Sequence, residues 1–201
     1  MRKKKYTMLQ PEAVVQYIDV YWSYYYSFEV DYQKIITTES EKERNIELTK
    51  MYLSVCSEIE VMLKTICQTI DVTYFGDRMD YHREKISELV LNDDFETLDQ
   101  EILLCKKTHL RPWKNYDVEK NNGQFETIAW WSDYNNTKHS RTNINKNGEI
   151  INLWASQNNV SNALGALFIL EQQYLEYMSG YIFESNVNVL DLCKSDLFER
   201  I

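Results

Sequence analysis

Apolar residues recur at intervals of three and four along most of this chain, an interval that predicts helices. From Pro11 to Ile36 the positions Val14, Tyr17, Ile18, Tyr21, Trp22, Tyr25, Phe28, Tyr32 and Ile35 follow it. Pro11 suits a first helical turn, where its missing N–H costs nothing. The run Tyr24-Tyr25-Tyr26 makes this helix apolar on more than one side. Such a helix belongs either at the centre of a core or in a subunit interface. A second helix is expected over residues 41–70, opened by a Ser40/Glu43 capping box. Its stripe is Leu48, Tyr52, Val55, Ile59, Met62, Ile66 and Ile70, with Glu60 and Lys64 placed for an i,i+4 pair on the charged side.

Gly76-Asp77 breaks the pattern, and two shorter helices are expected over 80–91 and 94–106 with Asn92-Asp93 as the turn between them. Residues 107–124 are polar and read as a long loop with room for a short strand. Loops of that length in a compact domain are often functional. A helix resumes over 125–139, Asn147-Gly148 makes a turn, and a last long helix runs over 155–181. Val160, Leu164, Leu167, Phe168, Leu170, Tyr174, Leu175 and Met178 form its apolar face. The mixed tail beyond Glu184 has room for one short helix. No repeat or linker divides the chain. The expectation is one all-α domain over 1–201, an antiparallel helical bundle with a core at about 10–182, a tail at about 185–201, and the polar loop just before the helix at 125–139.

Composition agrees with helices joined by few turns. The 201 residues include only 5 Gly and 2 Pro, too few for a sheet with many tight turns. Apolar residues at 44% and 15 Tyr are enough for a packed core and exclude a disordered chain. The four cysteines form no CxxC pair, and Cys56 and Cys67 fall near one stripe of a helix, as buried small hydrophobes do. The basic start Met1-Arg2-Lys3-Lys4-Lys5 is followed by no apolar run, so no signal peptide is expected. No stretch has the roughly 18 apolar residues of a membrane span. These features predict a soluble cytoplasmic protein with reduced thiols and no membrane partner.

Phosphate loops, GxGxxG, GxSxG and HExxH are all missing from the sequence, and three histidines are too few and too scattered for a metal site. No metal or cofactor is implied. His82, in a surface helix, and His109, in the polar loop, are expected to be ordinary exposed histidines. His139 differs in its neighbours: Trp130-Trp131-Ser132-Asp133-Tyr134-Asn135-Asn136-Thr137-Lys138-His139-Ser140-Arg141. Trp131, Asn135 and His139 share a helix face, so Asn135 can hydrogen-bond His139 and fix its tautomer. Lys138 and Arg141 bring positive charge. A histidine among cations and amides can move the proton of a 2′-hydroxyl or a leaving oxygen while the cations stabilise a phosphorane. The same residue types also cap helices or satisfy one another in a core, and that structural reading stands beside the chemical one.

The segment Tyr134-Asn135-Asn136-Thr137-Lys138-His139 resembles the short motif of the HEPN superfamily, in which an Arg is followed after four to six residues by a His, often with an Asn directly after the Arg. Asn135 and His139 fit the Asn and His positions. The motif stands just before a long apolar-faced helix, as in that superfamily of helical RNA-cutting toxins and abortive-infection effectors. Tyr134 occupies the Arg position, and Arg141, two residues beyond His139, is placed to restore the lost charge. The resemblance implies a metal-independent endoribonuclease, acting as a homodimer whose two motifs share one cleft. His139 would be general acid or base, with Asn135 and Lys138 positioning the phosphate, Arg141 stabilising charge, and a 2′,3′-cyclic phosphate as product. Trp130, Trp131 or Tyr134 would stack on a base, with Asp133 beside them.

Three readings follow. The first is an RNA-cleaving toxin or antiviral effector of abortive phage infection, controlled by a phage-encoded or antitoxin protein. The second is a non-catalytic HEPN-like module that binds or senses a protein partner. The third is an unrelated helical scaffold. The formal charge of -9 argues against coating nucleic acid. Between residues 106 and 146, however, eight Lys/Arg face four Asp/Glu, a balance of +4 against -13 for the rest. That excess predicts a modest basic cleft around His139.

Overall fold

A computed structural model describes residues 16, 18–36, 46–91, 96–120, 122–139, 142–144, 147, 150–152, 155–179 and 193–201. The Pro11 start, the Ser40/Glu43 box, the Asn92-Asp93 turn, Gly148, Tyr181 and Arg141 lie outside them. The described chain is mostly helical. A π-helical turn, Ile18–Trp22, leads into α1, Ser23–Ile36. Then come α2, Ile46–Ile70; α3, Met79–Leu91; α4, Ala129–His139; and α5, Gln157–Ser179. The α2 stripe is buried from Leu48 to Ile66, as its spacing predicts. No helix among the described residues is long and apolar enough to cross a membrane.

The centre of the fold is α5, not the first helix. From Val160 to Leu175 every residue but the half-buried Asn162 is buried, including Ser161 and Gln173, so this helix is enclosed on all sides. Helices α1, α2 and α4 supply walls around it, and a small sheet supplies another. Tyr25 and Tyr32 of α1 are completely buried, while Tyr24 and Tyr26, and Val20 in the turn before it, are exposed.

The helix expected over 94–106 is absent, and this corrects the all-α expectation. In its place stand β1, Ile102–Leu104, and β2, Thr108–Leu110, with Leu103 paired to His109. Cys105 and Lys106 join them at φ 50° and 59°, and the Lys107 N–H donates to the Leu104 carbonyl at 3.1 Å. Positive φ at both central residues is the type I′ hairpin turn, which normally carries Asn or Gly. With Cys-Lys there, the turn had no signature in the sequence. The tail contributes the third strand, β5, Phe198–Arg200, on the other edge of β1, so the described end of the chain is strand and not helix. Two further strands, β3, Thr142–Ile144, and β4, Ile150–Asn152, form a separate hairpin with Asn147 in the turn.

The sheet and the loop after β2 cover α5 at Gly165. A Cβ there would lie 2.8 Å from Ile102 Cδ1 and 3.0 Å from Pro112 Cγ, so any larger residue would have to push the Ile102 side chain aside. The polar-looking loop is a plug: Trp113 and Tyr116 are fully buried, and the Trp113 indole donates to the Ala166 carbonyl at 3.0 Å.

The tail is held by Glu29, which is completely buried in α1. Its carboxylate accepts from the Tyr25 hydroxyl at 2.8 Å, Ser195 Oγ at 2.6 Å, and the N–H groups of Asp196 and Leu197 at 2.6 and 3.2 Å. Glu29→Ala strands these donors and is expected to cost about 2 kcal/mol. Hydrogen exchange of residues 196–200 should quicken more than that of α2. Equal exchange across both segments would refute the clamp.

Candidate functional site

Helix α4 divides its residues sharply. Trp130, Tyr134 and Thr137, at i, i+4 and i+7, are buried, and Asp133, Asn135, Asn136, Lys138 and His139 are exposed. The buried side is locked by specific contacts. The Trp130 indole donates to the Pro112 carbonyl at 2.6 Å, and the Tyr52 hydroxyl donates to the Trp130 carbonyl. Trp130 lies edge-on to Trp113 and to Trp131, with centroids 5.4 and 5.5 Å apart. The Tyr134 ring sits between Tyr52 and Trp131 at 6.2 and 5.0 Å. Trp130 and Tyr134 are therefore core residues with no face offered to solvent. Trp131 is only partly buried.

The exposed side carries the motif chemistry without one joined cluster. Asp133 accepts from the Asn159 amide of α5 at 3.0 Å. Lys138 pairs with Glu60 of α2 at 3.1 Å, so Glu60 bonds across helices and not with Lys64 as expected. The Tyr134 side chain first, and then Glu60, hold the Lys138 ammonium above its ordinary range. Burial pushes the Tyr134 hydroxyl up. Asn135 and His139 both face solvent one turn apart, and no side-chain hydrogen bond joins them among the described residues.

Beside α4 opens a cleft of about 470 Å³. Trp131, Ser132 and Asn135 of α4 line it, together with Asp77, Arg78, Asp80, Arg83 and Phe125. His139 is one turn beyond, outside its walls. The cleft is not basic. Glu60, Asp77, Asp80 and Glu126 outnumber Arg78, Arg83 and Lys120 along it. Arg78 pairs with Asp80 at 3.5 Å and Lys120 with Glu126 at 3.7 Å. Arg111 is engaged by Asp99 at 2.6 Å, and Lys106 and Lys107 sit at the β1–β2 turn. Among the described residues, the basic side chains of 106–146 are therefore spread over the β1–β2 turn, the cleft and α4. A second cleft, of about 290 Å³, lies at the start of α4 and is lined by Lys114, Asn158 and Asn162.

Two residues that organise this region escaped the sequence reading. Arg83 is 2% exposed, yet it has no carboxylate partner among the described residues. Its guanidinium donates to the carbonyls of Tyr116 at 2.5 Å, Glu126 at 2.7 Å and Asn115, and stacks over Phe125 at 4.3 Å. It thus ties α3 to both ends of the 115–126 segment. His82, expected on the surface, is 4% exposed, with Nδ1 3.0 Å from the Tyr74 hydroxyl and 3.7 Å from Cys67 Sγ. Burial pushes its pKa down and that of the Cys67 thiol up to about 12, so the pair is neutral. One signal was available: 82, 86 and 89, like 83, 86 and 90, follow the apolar spacing of α3. His109 is exposed as expected, 2.8 Å from Glu101. Cys56 and Cys67 are buried, also as expected. No group of three or more metal-ligating side chains comes together among the described residues. No family model, curated protein or solved structure matches the chain.

Proposed function

We propose that this protein is a HEPN-like RNA-cleaving effector of a toxin or antiviral system, acting without a metal at a site shared by two copies. The observation that supports it is the two-sided character of α4. Its aromatic side is locked into the core, while Asn135, Lys138 and His139 are each exposed, where a substrate or a second copy can reach them. His139 moves the proton of the attacking 2′-hydroxyl or the leaving oxygen. Asn135 and Lys138 position the phosphate, and Arg141 offsets its charge. Lys138 gives up Glu60 to do so, at a cost below about 1 kcal/mol for an exposed pair. The test is incubation of purified protein with RNA in EDTA. Fragments ending in 2′,3′-cyclic phosphate are expected, and RNA left intact at high protein concentration would sink the reading.

Tyr134 favours a second reading, a non-catalytic HEPN-like module that senses a protein partner. At the position of the family's Arg it carries no charge, and its buried ring cannot reach a phosphate. A stable complex with a protein partner and no cyclic-phosphate product is the outcome expected of that reading.

A further inference from the structure

Beside the exposed motif, the 470 Å³ cleft has the size of a small-molecule site and the wrong charge for a phosphate. Each cation along it is already engaged: Arg78 with Asp80, Lys120 with Glu126, and Arg83 with three backbone carbonyls. Asp77 lines the cleft, is exposed, and enters no ion pair among the described residues. Trp131 and Phe125, both partly buried, give the cleft aromatic walls, and the Arg83 guanidinium backs Phe125. Asn135 presents an amide, and Ser132 a hydroxyl, from the same side as Trp131. Aromatic surface, an amide and an unpaired carboxylate, in a cleft where acids outnumber cations, form a site for a flat heterocycle that donates hydrogen bonds.

We propose that this cleft is a pocket for an adenine or cytosine base, unstacked from a single RNA strand, next to the phosphate handled at His139. The placement rests on the RNA reading above. The base lies against Trp131, Asn135 reads its edge, and Asp77 accepts from the exocyclic amine. Asn pairs bidentately with adenine and carboxylates accept from the cytosine amine, whereas uracil has no such donor. Glu60 connects the two parts, since it lines the cleft and also holds Lys138. At 1.5 Å of rise per residue, His139 is about 6 Å along α4 from Asn135, so base and phosphate of neighbouring nucleotides can be held at once.

The experiment is calorimetric titration of the full chain with adenosine, cytidine and uridine. Adenosine or cytidine should bind at least about fivefold more tightly than uridine, as expected for one base-edge contact of about 1–3 kcal/mol. Trp131→Ala should weaken binding about tenfold or more, and Trp131→Phe should restore most of it. Trp131 also packs against the core, so Asp77→Asn, at an exposed position, is the companion variant; it should bring adenosine or cytidine close to uridine. No saturable binding of any nucleoside, or equal binding of all three, overturns the pocket. His139→Ala should bind nucleosides as the parent does, so failure of cleavage and failure of base recognition are separately visible.

Discussion

His139→Ala is expected to lower the rate of RNA cleavage by about 10²- to 10⁴-fold, the usual contribution of a positioned general acid or base. Growth arrest on expression should disappear with it. The fold should be untouched, because His139 is exposed at the end of α4 and substitutions at such positions shift stability by less than about 0.5 kcal/mol. Loss of activity without loss of Tm separates a chemical role from a structural one. Asn135→Ala should follow in the same direction, since it removes an exposed amide one turn away. A His139→Ala protein as potent as its parent, with the same cyclic-phosphate products, would exclude His139 from the chemistry. A toxic parent that leaves RNA intact would move the interpretation to the partner-binding module.

Arg83→Met is expected to destabilise the fold by about 3 kcal/mol and to lower Tm by about 10 °C. The substitution keeps much of the side-chain bulk but deletes the donors to the Tyr116, Glu126 and Asn115 carbonyls. Hydrogen bonds from a charged donor are worth about 1.5–3 kcal/mol each, and part of that is returned because the guanidinium no longer has to be desolvated. For a chain of this size each kcal/mol moves Tm by about 2–4 °C. Arg83→Lys should recover little, since an ammonium has no planar fork to reach both ends of the 115–126 segment. The cleft should loosen too, as Phe125 and Glu126 lie on that segment. A drop of less than about 1 kcal/mol for both variants would show that the loop holds its shape without the latch.

Most of the helices were legible from local spacing. The stripe of α2 and the apolar run of α5 each repeat over many turns, and burial follows them residue by residue. The hairpin was not legible, because a type I′ turn built on Cys105-Lys106 lacks Asn or Gly, and Leu103-Leu104 fits a helix as well as a strand. The third strand was illegible for a different reason: β5 pairs with β1 across almost a hundred residues, and no local pattern records that register. In the site, the sequence put Trp131 and Asn135 on one side of α4, and both line the cleft. It could not distinguish Trp130 and Tyr134, which are core, from Trp131, which is only partly buried.

The sequence alone determined the mostly helical character, a motif-bearing helix expected over 125–139 that begins only at Ala129, and the placement of His139 near its end, because spacing and composition act locally. Tertiary structure decided which helix is central, which motif side chains are buried, and where the charge goes. Eight basic residues near one another in the chain predicted a basic cleft. In the fold, Arg111, Lys120 and Lys138 each meet an acid, Lys138 through a partner 78 positions away. An electrostatic field depends on distances in space, and those exist only once the helices have packed.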